Sequence, residues 1–328
     1  DGVWNENGAS LIIEISPPFY KTKWFLAMCG IMGLAGAWNY VRMREKKLKA
    51  EKKILEQKVE ERTVELRIEK EKVVAAHQDI KDSINYARRI QSTILPGEKE
   101  WKSILPDSFV LYKPRDIVSG DFFWLLKEKD LVLVAAADCT GHGVPGAFMS
   151  MIGHTQLNDI VKQEGITDTA AILDRLHVKV SAAMKQDAGS GARDGMDIAL
   201  VAFDPIKMML HYSGANRPLL LVRGGEIKEF KADKFPIGGG SDTGVRNFSS
   251  NRIELCKGDI IYLFSDGFGD QFGGPKGKKF GTKQLREILL EISAISISRQ
   301  KETLEDRFNA WKRDVEQVDD VLVIGFRV

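Results

Sequence analysis

LVLVAAADCTGHGVPGA, residues 131–147, reads as a buried strand, an acid at its end, a glycine-rich turn and the start of a helix. Leu131–Ala137 is wholly apolar, and Asp138 follows it directly. Gly141, Gly143 and Gly146 free the backbone to turn tightly. The same setting, an acid beside glycine or at a strand end, recurs three more times: Ser119-Gly120-Asp121, Ser265-Asp266-Gly267 and Asp319-Asp320-Val321. Taken singly, Asp-Gly is an ordinary turn. Taken together, carboxylates at strand ends can bring oxygen ligands from distant parts of the chain onto hard cations. With no His or Cys cluster among them, the set favours Mg²⁺ or Mn²⁺ over Zn²⁺.

Outward from this stretch, strands are predicted at Phe109–Tyr112, Ile198–Phe203, Leu210–Ser213, Pro218–Val222, Ile260–Phe264 and Val321–Phe326. Helices are predicted at about Pro145–Gln163 and Thr169–Gln186, and another from near Thr282. The first two helices fall consecutively between strands rather than one per strand. That grouping argues for an α+β domain with antiparallel sheets, not a doubly wound one.

The segments Val118-Ser-Gly-Asp-Phe-Phe123, 137–147, Tyr212-Ser-Gly-Ala-Asn216, Phe264-Ser-Asp-Gly267 and Asp319-Asp-Val321 occur in an order and spacing that resemble the PPM metal-dependent serine/threonine phosphatases, in their bacterial SpoIIE-like branch. The resemblance covers about Phe109 to Val328. It implies a sandwich of two antiparallel β-sheets flanked by helices, with two Mn²⁺ or Mg²⁺ ions between the sheets at one end. It makes Asp138 the bridging ligand, Asp121 and the Cys139 carbonyl neighbours of the first ion, and Asp266 and Asp319 ligands of the second. It names Asp138 and Asp266 as the catalytic pair. The implied reaction is hydrolysis of phosphoserine or phosphothreonine on a partner protein by a metal-activated water. By analogy with the branch, that partner is an anti-sigma-factor antagonist of the STAS type. The chain departs from the eukaryotic members in two ways. His142 is separated from Asp138, so a general-acid role does not transfer. The phosphate-binding arginine has no assured counterpart; Lys113 and Arg115 are the nearest basic residues, against the alternative of a basic surface loop. Asp197 is a candidate for a third ion, against the alternative of a turn residue.

Ahead of this domain lies WFLAMCGIMGLAGAWNYV, residues 24–41. Eighteen helical residues span about 27 Å, close to the ~30 Å hydrocarbon core. Lys21 and Lys23 precede it, and Arg42, Arg44, Lys46, Lys47 and Lys49 follow. The heavier positive flank places the remainder of the chain in the cytoplasm and predicts a single-pass inner-membrane protein. Ala35-Gly36-Ala37 resembles a signal-peptidase site, but the usual short basic leader is absent. Residues 1–20 read as the last strand (Leu11, Ile13, Ile15) of an extracytoplasmic β domain, similar to the immunoglobulin-like module of some propeller-type bacterial sensors.

Residues 43–97 are charged, and apolar residues recur every seven from Val59 through Leu66, Val73, Ile80, Ala87 and Ile94. Arg62 and Glu69 interrupt the second seam. Such a pattern predicts a marginal parallel coiled coil that makes a homodimer, with a solvated single helix as the alternative. The expected organisation is therefore 1–20 extracytoplasmic, 21–42 membrane helix, 43–97 signalling coiled coil and 98–328 phosphatase.

A net charge of +2 disfavours nucleic acid as a partner. Cys29, Cys139 and Cys256 offer no zinc spacing or disulfide framework. A sensor histidine kinase shares the layout, but 138–143 carries one residue too many for an Asp-x-Gly-x-Gly box. A nucleotidyl cyclase leaves Ser265-Asp266-Gly267 and Asp319-Asp320 without a role. A catalytically silent binding module would not need the full set of acids.

Overall fold

The computed structural model describes residues 12–185, 194–239 and 246–328. The chain divides into two units, Asp1–Gln78 and Asp79–Val328. The compact second unit thus starts well ahead of the residue 98 boundary expected from sequence.

In the first unit, residues 12–18 carry no strand. Leu11 and its predecessors lie outside the described residues. Helix α1 (Lys23–Ile94) begins here. Among the described residues it is the one helix long and apolar enough to cross a membrane, and its apolar window is unburied. Val59, Leu66 and Val73 of the heptad seam are likewise exposed.

The second unit contains α2 (Glu98–Ile104), β1 (Ser108–Lys113), β2 (Phe122–Glu128), β3 (Leu131–Cys139), α3 (Gly143–Lys162) and α4 (Thr169–Ala183). It continues with β4 (Gly195–Asp204), β5 (Met209–Ala215), β6 (Leu219–Arg223), β7 (Glu226–Phe230), β8 (Ile237–Gly238), β9 (Asn251–Glu254) and β10 (Ile260–Phe264). It closes with α5 (Gly267–Asp270), β11 (Phe272–Gly273), β12 (Lys278–Lys279), α6 (Thr282–Ile292), α7 (Ile297–Lys312) and β13 (Val321–Arg327). One sheet has the order β1-β13-β10-β6-β7; the other has β2-β3-β4-β5-β9, with β8 pairing to β4. All these pairings are antiparallel.

Side-chain alternation along the strands builds three apolar layers. Phe123, Leu125, Val134, Val201, Leu221, Leu263 and Ile324 fill the space between the sheets. The opposite face of the second sheet, including Phe122, Trp124, Leu133 and Leu200, packs on Leu157 and Ile160 of α3 and Leu173 and Leu176 of α4. The outer face of the first sheet, through Leu111, Tyr262 and Val323, packs on Leu289 of α6 and on Leu304 and Phe308 of α7. The result is the expected α+β sandwich of two antiparallel sheets flanked by helices.

The last turns of α1 belong to this unit. Gln91, the buried residue of α1, donates from Nε2 to the Ser119 carbonyl at 2.6 Å and to Ser150 Oγ at 2.9 Å. Its Oε1 accepts the Ser119 N–H at 3.1 Å. One amide therefore satisfies both backbone groups of a buried loop residue next to Gly120-Asp121. Replacing Gln91 by Ala leaves the Ser119 N–H unpaired, at about 1–3 kcal/mol, and its carbonyl with only the 3.5 Å contact from Ser150 Oγ. A fragment spanning residues 79–328 carrying Gln91→Ala is expected to lose about 1–3 kcal/mol, read as a lower urea midpoint; an unchanged midpoint would refute this role.

Candidate active site

Every acid singled out from sequence sits at one end of the sandwich because the strands carrying them end or begin there. Asp138 is near the end of β3, and Asp197, near the start of β4, is its direct cross-strand partner. Asp266 follows β10 and caps α5, Asp319 and Asp320 precede β13, and Asp121 precedes β2. Asp138, Asp197, Asp266 and Asp319 line one cleft of about 340 Å³ with Cys139, Thr140, Gly141 and His142. Asp121 lies beneath it, 2% exposed.

Three glycines let the loops close this tightly. A Cβ on Gly146 would stand 2.4 Å from the Gly141 carbonyl oxygen and 2.9 Å from the Gly120 Cα. A Cβ on Gly267 would meet the Asp320 carbonyl oxygen at 1.9 Å. The turn after β3 thus lies against the loop bearing Asp121, and the turn after β10 against the one bearing Asp319.

The neighbouring acids Asp319 and Asp320 have different surroundings. Asp320 Oδ1 accepts the Arg115 N–H and its Oδ2 the Gly120 N–H, each at 2.7 Å. It is buried and ties the β1–β2 loop in place. Asp319 faces the cleft.

Sequence reading missed Arg217, in the turn from β5 to β6. Its Nη2 lies 2.7 Å from Asp138 Oδ2, 2.7 Å from Asp266 Oδ2 and 3.3 Å from Asp197 Oδ2. The turn is held by the Arg217 carbonyl accepting from Tyr212 Oη at 2.7 Å, with Asn216 Nδ2 donating to Asp197 Oδ1 at 2.8 Å. Asn216 is in the left-handed region at φ 56°. Gly214 has no room for a Cβ beside Tyr212 Oη and the Arg217 carbonyl. The only sequence signal for Arg217 was its place directly after Tyr212–Asn216.

Two other basic residues were expected to bind substrate. Lys113 does not line the cleft; its Nζ pairs with Glu305 of α7 at 2.5 Å. Arg115 does not line it either, and meets Asp320 through its backbone. His142 does line the cleft, with Nδ1 2.8 Å from Asp116 Oδ2. The Cys139 side chain packs in the core, where burial and then Asp138 and Asp121 hold its thiol well above the usual range. It is not poised as a nucleophile.

The electrostatics are those of too many acids in one place. Asp138 is pushed up to about 8, chiefly by burial; Arg217 pulls against this, while Asp266, Asp319 and Asp197 add to it. Asp121 is raised by burial and by Asp138, and its Oδ2 is buried with no hydrogen-bond partner. Asp319 and Asp197 are raised too, chiefly by burial. Among the described residues no three His, Cys, Asp or Glu side chains are drawn closely enough together to hold an ion as they stand; instead, Arg217 bridges three of the acids. The donor set fits a hard divalent cation: all oxygen, one oxygen unpartnered, and positive charge in deficit.

Between about pH 4 and pH 8 folded Asp138 keeps a proton that the unfolded chain has lost. Folding then takes up protons, so this group's contribution to stability falls as pH rises. In EDTA, the decline in urea midpoint from pH 5 to pH 8 is expected to be shallower in Asp138→Asn than in the wild type. Equal slopes would show that Asp138 does not carry it.

A family model for Stage II sporulation protein E (SpoIIE) matches residues 128–328. The phosphoserine phosphatase RsbU of Bacillus subtilis is 27% identical over 194 residues, covering 58% of this chain and 54% of RsbU. The chain thus spans about half the length of that relative. The SiaA-PP2C domain of Pseudomonas aeruginosa is 32% identical with a TM-score of 0.69, covering 77% of this chain and 99% of that domain. The PP2C phosphatase domain of SpoIIE from Bacillus subtilis, solved with a fragment of its regulatory domain, shares the fold at 16% identity and a TM-score of 0.53, covering 67% of this chain and 61% of that one.

Proposed function

The chain belongs to the SpoIIE family of PP2C-type serine/threonine phosphatases, and on that premise we propose that it removes phosphate from phosphoserine or phosphothreonine of a partner protein at the Asp138 cleft. The observation that carries this is the meeting of Asp121, Asp138, Asp266 and Asp319 at one end of the sandwich. In this reading they would hold two Mn²⁺ or Mg²⁺ ions together with the Cys139 carbonyl, and Asp197 is a candidate for a third ion. Divalent ions bound there would lower the pKa of a water and offset charge on the phosphoryl oxygens.

The chain's own residues supply the rest. Asp320 holds the loop bearing Arg115 and Gly120 through two backbone hydrogen bonds, and so positions Asp121. The core packing of Cys139 leaves its backbone at the cleft wall. The chemistry needs no side-chain nucleophile.

The wider reading is a regulated enzyme. Residues 21–42 cross the inner membrane once, the phosphatase lies in the cytoplasm, and residues 43–97 pair in a homodimer that passes a signal from outside. The exposed seam of Val59, Leu66 and Val73 supports the pairing. The contact of Gln91 with the loop bearing Asp121 supports the coupling. The substrate in this reading is a STAS-type anti-sigma-factor antagonist. Nucleic acid has no place in it, and family membership removes the histidine-kinase and cyclase alternatives.

The whole chain, purified in detergent, is expected to hydrolyse p-nitrophenyl phosphate with Mn²⁺ and to stop in EDTA. Asp138→Asn and Asp266→Asn should each lower the rate by about 10²-fold or more, the cost of removing a main electrostatic contributor. Undiminished activity in both variants would sink the assignment, and inactivity of the wild type would favour a silent binding module.

A further inference from the structure

Arg217 does not engage its acids in the manner usual for arginine. Arginine–carboxylate pairs commonly form a fork with two parallel N–H···O bonds. Here Nη2 alone meets Asp138, Asp266 and Asp197, while Nε is buried with no hydrogen-bond partner. The three carboxylates come from β3, the β10–α5 junction and β4. One positive centre surrounded by oxygens from separate elements is how a protein holds a cation, not how it usually satisfies a guanidinium. Burial opposes the charge on Arg217, and Asp138, Asp266 and Asp197 more than offset that, so it stays protonated.

We infer that Arg217 Nη2 holds a cation position of this site, so that a divalent ion binds Asp138 and Asp266 only by displacing it, and that Arg217 thereby sets the ion concentration at which the site fills. The inference rests on the metal-site reading above. Two features support it. Removing Arg217 without replacement would leave the Asp138, Asp266 and Asp197 oxygens converging on one point with no positive centre between them. Exchange of an ion for Nη2 preserves the compensation. In addition, the backbone carrying Arg217 is pinned at its carbonyl by Tyr212 Oη and at its N–H by the Ala215 carbonyl at 2.7 Å. Exchange therefore asks only the side chain to leave. The unpartnered Nε means that leaving breaks the Nη2 contacts without disrupting a complete guanidinium network.

The test is calorimetric titration of Mn²⁺ into the EDTA-treated and dialysed whole chain. Arg217→Gln is expected to bind Mn²⁺ about 5- to 150-fold more tightly than the wild type, the usual span of coupling between linked interactions. Melted in EDTA, it should also be less stable than the wild type, and in saturating Mn²⁺ the gap should close. Arg217→Lys retains the charge on a single nitrogen with a shorter reach. It should fold and bind Mn²⁺ more tightly than the wild type but less tightly than Arg217→Gln. Should Arg217→Gln not fold without the ion, comparison of Arg217→Lys with the wild type decides alone. Mn²⁺ affinity equal to or weaker than wild type in the folded variants overturns the inference while leaving the metal site standing. A folded wild type that binds no Mn²⁺ overturns both.

Discussion

Carboxylates packed at one end of a β-sandwich repel each other, and burial removes the water that would screen them. This constraint shapes the whole site. Asp138 and Asp197 face each other across one ladder, with Asp266 and Asp319 delivered from the other sheet and Asp121 beneath. Such a group persists only if some acids keep protons or positive charge enters. Both occur here: burial holds Asp121, Asp138, Asp197 and Asp319 above the usual carboxylate range, and Arg217 bridges three of the acids.

The rest of the architecture delivers and restrains that group. Three apolar layers fix the two sheets and their helices, so the strand ends carrying the acids do not drift apart. Glycines at 120, 146 and 267 allow backbone to approach backbone where any side chain would collide. Asp320 and Gln91 then use side-chain hydrogen bonds to hold the same loop from opposite directions in the sequence.

Much of the fold was legible because its strands are short apolar runs closed by turns. Leu131–Cys139, Ile260–Phe264 and Val321–Arg327 match their expected spans closely. Strand β2 escaped because FFWLLKE is apolar on both faces: Phe122 and Trp124 face helices while Phe123 and Leu125 face the other sheet, so no alternation shows. Helix α7 escaped because its buried stripe of Ile297, Leu304 and Phe308 includes Gln300, and its remaining surface is polar. Gln300 is buried there because it meets Tyr262 Oη at 2.7 Å, a partner no local pattern reveals.

The sequence by itself determined the class of fold, the acids at the strand ends and the apolar helix ahead of them. Those features are written in local periodicity and in residue types set beside glycines. The tertiary structure decided which acid of each neighbourhood faces the cleft. Asp319 and Asp320 are adjacent and chemically identical, and only the backbone N–H groups of Arg115 and Gly120, brought from far upstream, take Asp320 out of the cleft. It also decided the cation. Lys113 and Arg115 looked close in sequence, yet Arg217 is the basic residue among the acids, because the turn from β5 to β6 passes from one sheet to the other at the end where they meet. Charge compensation depends on distance in space, and that distance exists only once the sheets have packed.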